Sequence, residues 1–145
     1  MLESVLQAVA QVVPGVLCYH DTELRLRFFN EAYANLYRRL AGRSPQLGEK
    51  TTDWLSDPDF RAQVAEHCRR AAAGELVHVH YTFEAGGTTE TWEVRYQPVY
   101  DADGRITGTL AWGRDVTVQQ REQVFLRWLE VVLSQMHDMC MTWCW

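Results

Sequence analysis

The sequence predicts an α+β domain: a five-stranded antiparallel sheet with short helices on one face, and a further helix at each end. Three observations carry that reading. Residues 88–117, TTETWEVRYQPVYDADGRITGTLAWGRDVT, hold two strand-like runs around Asp101-Ala102-Asp103-Gly104, and Asp-Gly between alternating apolar residues is a strong hairpin signal. Residues 76–84 alternate at period two, with Val77, Val79, Tyr81 and Phe83 against His78, His80 and Thr82. Before them, two stretches open on helix start signals, at Asn30 and at Ser56-Asp57-Pro58-Asp59.

Each element follows in order. Residues 2–13 set Leu2, Val5, Leu6, Val9, Val12 and Val13 at helical spacing, and Pro14-Gly15 stops the run. A helix this short is marginal alone, so its apolar stripe needs a sheet face or a second chain. Val16 to Tyr19 reads as a first strand and Leu24 to Phe29 as a second, joined around Asp21-Thr22. Asn30 caps a helix with Tyr33, Leu36, Tyr37 and Leu40 on one face and Gly42 past its end. Residues 43–50 are a polar loop, and Thr51 to Leu55 makes one helical turn. The helix opened at Asp57-Pro58 carries Phe60, Val64, Cys68 and Ala71 inward and closes at Gly74. A third strand spans Leu76 to Glu84, and Ala85-Gly86-Gly87 turns it into the long hairpin. There Trp92, Val94 and Tyr96 share one face, and Ile106, Leu110 and Trp112 alternate with Thr107, Thr109 and Ala111. A two-stranded ribbon buries too little apolar surface to stand alone, so the other elements must cover it.

Composition bounds the function. The chain has 145 residues, 47% of them hydrophobic, enough for one domain with a real core. Its net charge of −5 argues against nucleic acid as a partner, because phosphate binding needs a clustered excess of Lys and Arg. Cys18, Cys68, Cys140 and Cys144 are too scattered for a disulfide framework, so reduced thiols and a cytoplasmic location are expected. The opening residues carry Glu3 and no basic run, unlike a signal peptide. Arg127, Glu130, His137 and Asp138 interrupt the apolar tail, so no membrane span is expected.

The order of elements, with three local signatures, resembles the PAS (sensory box) domain family over residues 14–117. The first is the Asp21 turn and the strand ending in Asn30-Glu31-Ala32, similar to the family's strand, N-x-A and helix. The second is a helix ending in AAAGE, residues 71–75. The third is a hairpin with an Asp-x-x-Gly turn that closes on Asp115-Val116-Thr117, like the triplet with which the family meets a signalling helix. The resemblance implies a sensory domain at 14–117, and the helical runs on either side of it divide the chain into an N-terminal helix at 1–13 and a signalling helix at 118–145. It also implies a pocket between helices and sheet that holds haem, flavin, a metabolite or nothing.

The residue types permit the same pocket, since a curved sheet roofed by short helices and rich in aromatics makes a small-molecule cavity. The expected lining is Tyr19, Phe29, Tyr33, Tyr37, Trp54, Phe60, Val64, Tyr81, Phe83, Trp92, Tyr96 and Trp112, against the plainer reading that these rings fill a core. The family's flavin photosensors carry a Cys in an Asn-Cys-Arg motif, and TTDWLSDPDFRAQ has none. The resemblance makes His67 the haem candidate, although a lone helical His is more often a packing residue. No motif fixes a cofactor, and its identity stays unknown. His78 and His80, with His20 or Cys18, form a weak metal candidate, and Asp101 and Asp103 serve the turn. No catalytic constellation emerges.

From residue 118 the chain turns helical, with Phe125, Leu129, Val132, Met136, Met139 and Trp143 as a seam of about two to three heptads. With Leu2, Val5, Leu6 and Val9 it forms the expected homodimer interface. His137, Cys140 and Cys144 share a helical face and are expected to pack. The function expected is a non-enzymatic sensor of a small, partly apolar ligand that relays to a downstream module of a bacterial signalling protein: a two-component sensor kinase, a cyclase or a regulator. The alternatives are a ligand-free interaction module and a small α+β enzyme.

Overall fold

The computed structural model describes residues 2–143, the side chains of Leu2, Glu3, Leu6 and 139–143 excepted. The expected interface residues Leu2, Leu6, Met139 and Trp143, and also Cys140 and Cys144, therefore lie outside the described side chains. The elements are α1 (Leu2–Val12), β1 (Val16–Asp21), β2 (Leu26–Phe29), α2 (Glu31–Ala41), α3 (Pro58–Ala72), β3 (Val77–Ala85), β4 (Thr88–Tyr100), β5 (Ile106–Asp115) and α4 (Thr117–Trp143). Met1–Asp115 form one compact unit and Val116–Trp145 a second.

The helix starts follow from their polar residues. Asn30 holds extended backbone while its Oδ1 accepts from the Tyr33 amide, capping α2, and Gly42 closes that helix in the left-handed conformation. Asp57 caps α3 by accepting from the Asp59 amide, with Pro58 at the first helical position, where no amide donor is missed. Thr51–Leu55 is not a helical turn but two successive tight turns, closed by Asp53 N to Lys50 O and Leu55 N to Thr52 O, both 3.2 Å.

The sheet has five strands in the order β2-β1-β5-β4-β3, every pair antiparallel. This is the predicted fold class. The Asp21 turn moves two strand boundaries. Its Oδ1 accepts from the amides of Glu23 and Arg25, so β1 runs on to Asp21 and β2 begins only at Leu26. The Asp101 turn repeats the same bonding, Oδ1 accepting from the amides of Asp103 and Arg105.

Directly opposed residues share a face, so the register sorts the side chains. One face carries Cys18, Ala111, Tyr96 and Val77, which lie opposite one another across β1, β5, β4 and β3. Tyr33 and Tyr37 of α2 and Cys68 and Ala71 of α3 pack on that face, completing the buried core. The other face carries Trp112 opposite both Leu17 and Arg95, with Arg95 opposite His78.

Candidate functional site

Where α2 and α3 cross the sheet, the core leaves a cavity of about 100 Å3. Its floor is period-two strand residues: Val16, Cys18 and His20 from β1, Ala111 and Gly113 from β5, Trp92, Val94 and Tyr96 from β4, Tyr81 and Phe83 from β3. Its roof is Tyr33, Leu36 and Leu40 of α2, Thr51, Trp54 and Leu55 of the following turns, and Phe60, Val64 and Cys68 of α3. No Lys, Arg, Asp or Glu borders it.

The wall is held by ring contacts and a hydroxyl chain. The Phe60 ring meets Tyr81 at 5.1 Å and Phe83 at 5.3 Å. His67 Nδ1 lies 2.6 Å from the Tyr81 hydroxyl, which lies 2.9 Å from that of Tyr96. Burial pushes the Tyr81 and Tyr96 phenols above their usual range, so both stay protonated. Burial likewise pushes the Cys18 and Cys68 thiols up to about 12, and neither is disulfide-bonded. The cavity therefore offers no thiolate nucleophile at neutral pH.

His20 is the foremost exception to this self-sufficiency. It is 1% exposed, and neither ring nitrogen has a hydrogen-bond partner. Burial lowers its pKa to about 4, against the opposing pull of Asp21, so the imidazole is neutral. Thr51 Oγ1 is also buried and unpartnered, as is Trp112 Nε1. A buried polar atom left unsatisfied costs about 1–3 kcal/mol.

The structure redistributes the sequence-predicted lining. Tyr33, Trp54, Phe60, Val64, Tyr81, Phe83, Trp92, Tyr96 and Trp112 border the cavity, whereas Tyr19, Phe29 and Tyr37 do not. Tyr19 is opposite Leu110, on the face turned away from Cys18 and His20, and its hydroxyl donates to Thr107 Oγ1 at 3.1 Å. Phe29 packs on Tyr33 at 5.9 Å, and Tyr37, wholly buried, lies behind Trp54 at 4.7 Å. Trp112 touches the cavity edge, but its ring sits among the guanidinium groups of Arg95 and Arg114, each 5.9 Å from its centre. The physical reason is register: Ala111, not Trp112, stands opposite Tyr96. Ring size did not set the phase of β5. Of the lining residues that sequence reasoning missed, His20 and Thr51 are polar and Leu36, Leu40 and Leu55 aliphatic, yet Val16, Cys18 and His20 already stood at period two.

His67 is committed through Nδ1 to Tyr81 and stacks on Tyr96 at 6.3 Å, and it does not border the cavity. His78 and His80 sit on the opposite face from Cys18 and His20, so those four do not converge, and His78 Nε2 lies 2.7 Å from Glu93. Glu93 also receives Arg114 at 2.9 Å, the contact that most lowers its pKa. Among the described residues no group of three or more His, Cys, Asp or Glu is placed to hold a metal ion. Among them, too, no helix is long and apolar enough to cross a membrane.

The PAS fold family model matches residues 11–121. The PAS domain of Bordetella pertussis BvgS superposes with TM-score 0.66 at 20% identity, over 90% of this chain and 98% of that one. The sensor region of a sensor histidine kinase gives 0.57 at 24% identity over 73% of this chain, which spans only 41% of its length. The Vibrio cholera VqmA-ligand-DNA complex gives 0.63 at 22% identity, over 81% of this chain and 52% of that one. Among curated proteins no match was found. At these identities the likeness is one of fold.

The last neighbour corrects one expectation, the exclusion of nucleic acid from the partners. A domain of this fold occurs in a protein solved with a ligand and DNA. The charge of one domain speaks only for its own surface, not for a DNA-binding domain elsewhere in a longer protein. Among the described residues of this chain no separate DNA-binding domain is present.

Proposed function

This chain belongs to the PAS fold family, and from that premise we propose that it is a sensory domain that binds a small, partly apolar molecule in the cavity between α2, α3 and the sheet. The observation that carries the reading is the cavity itself, lined by aromatic and aliphatic side chains, free of charged ones, and yet bordered by unpartnered polar atoms. On this reading the chain binds and does not catalyse. The unit 14–117 senses and 118–145 transmits.

The relay runs through β5. Ala111 and Gly113 border the cavity, and the strand ends at Asp115, with only Val116 between it and the start of α4. On α4, Val124, Phe125, Leu126, Trp128, Leu133 and Met136 are exposed, an apolar surface that a second α4 would cover in a homodimer. Val5 and Val9 of α1, about half exposed, extend that proposal to the N-terminal helix. A histidine kinase or receptor of a bacterial signalling pathway is the larger protein this suits, in the cytoplasm, where free Cys18 and Cys68 stay reduced.

Native mass spectrometry of the freshly purified chain, with light scattering of the same sample, tests both halves. A dimer mass and a co-purifying or added small molecule that raises Tm are the expected results. A monomer at high micromolar concentration removes the helix-pairing half. The same exposed α4 surface favours a second reading, a ligand-free interaction module, which a dimer that takes up no small molecule would support.

A further inference from the structure

We propose that His20 and Thr51 are the orienting pair of this cavity, taking the hydrogen-bonding end of a small uncharged ligand while its apolar body lies against Phe60, Val64 and Trp92. The inference rests on the reading of the cavity as a ligand site and adds to it the polarity, charge and pose of the occupant.

The two residues enter from neighbouring backbone segments. His20 of β1 stands opposite Leu26, whose amide donates to the Glu49 carbonyl, and the Thr51 amide donates to the Leu24 carbonyl. Both side chains border the cavity, both are buried, and the ring nitrogens and the hydroxyl have no partner among the described residues. The hydroxyls of Tyr81 and Tyr96, by contrast, satisfy each other and His67. The cavity thus has a finished polar side and an unfinished one, whose partner no described residue supplies.

The chemistry of that partner follows. A neutral imidazole offers one N–H donor and one acceptor, and Thr51 offers a hydroxyl that does either. No charged side chain borders the cavity, so an ionised ligand would be buried without a counter-charge. Size sets the third limit: the cavity is about 100 Å3, smaller than the roughly 150 Å3 that admits benzene in another protein, so the occupant is at most a single small ring. The ligand class is a compact, uncharged, ring-sized molecule with a hydroxyl, carbonyl or ring nitrogen at one end.

Phenol and toluene test this, because they match in shape and differ in one hydroxyl, with benzoate as the charged control. Their affinities are read on the full chain by amide shifts in NMR titrations. Expected is entry of phenol and toluene but not benzoate, with phenol and not toluene moving the His20 ring nitrogen signals. In His20→Leu or Thr51→Val the phenol-to-toluene affinity ratio falls about tenfold, the worth of one buried hydrogen bond. The ring-nitrogen shift needs no substitution, so it stands even where His20→Leu fails to fold. Toluene entry with a ratio unchanged in both variants and no His20 response overturns the orienting pair, with water as the partner, and leaves the ligand site standing. Entry of neither probe overturns both.

Discussion

His20 ties burial to pH. The unfolded chain takes up a proton on this residue at its ordinary pKa of 6.5, and the folded chain only at about 4. The unfolded state binds more protons across that window, so the contribution of His20 is complete above pH 6.5 and is lost as pH falls towards 4. Wild type should therefore lose on the order of 3 kcal/mol relative to His20→Leu between those limits, read from paired denaturation curves. The buried thiols make a second prediction. Peptide mapping after iodoacetamide at pH 8 should find Cys18 and Cys68 unmodified in the native protein and alkylated once it is denatured. At Gly108 the limit is space. A Cβ there would lie 2.3 Å from the His20 carbonyl oxygen and 2.6 Å from the Tyr19 hydroxyl, so Gly108→Ala should cost about 3 kcal/mol or more in urea unfolding. At this scale the sequence is least legible. Rings advertise themselves as lining, whereas His20, beside the Asp21 turn, looks like a turn residue and is among the most buried side chains of the domain.

Among the elements, joints matter more than spans. Asn30 caps α2 through Oδ1, which also accepts from the Leu17 amide, while its Nδ2 donates to the carbonyls of Ala10 and Gly15. One side chain thus fastens α1, β1 and α2 together. Asn30→Ala should lower stability by about 2–4 kcal/mol, a lost cap plus buried groups left unpaired. Asn30→Asp keeps the cap acceptor, so it should retain more of α2 than of the α1 attachment, as amide exchange at Tyr33 and near Ala10 would report. The two Asp turns differ in how they reach the left-handed backbone. Gly104 takes φ 81° freely, whereas Leu24 takes φ 64° and packs its side chain on the core. Gly104→Ala has no such recompense and should cost about 1 kcal/mol. These joints were legible, because Asn30, Asp57-Pro58 and Asp101-x-x-Gly104 are local signals that need only their neighbours in sequence. The phase of β5 was not. Which of Ala111 and Trp112 faces inward depends on pairing with β4 and β1, and alternation alone offers both answers.

For the whole molecule, the class of fold could be inferred from the order of periodic segments, but the order of the strands could not. Nothing in the vicinity of Val16 says that it will lie beside Gly113, because that pairing carries no local signature. That placement has a consequence for how the protein is made. With β5 in the middle of the sheet, the β1–β2 pair has no further strand to join until almost the whole first unit has left the ribosome. A nascent chain halted after Gly104 holds four of the five strands and lacks the one that bridges its halves. Arrested at that length, it should be cut readily by protease, and protection should appear abruptly once Asp115 has emerged, with no partly guarded stage between.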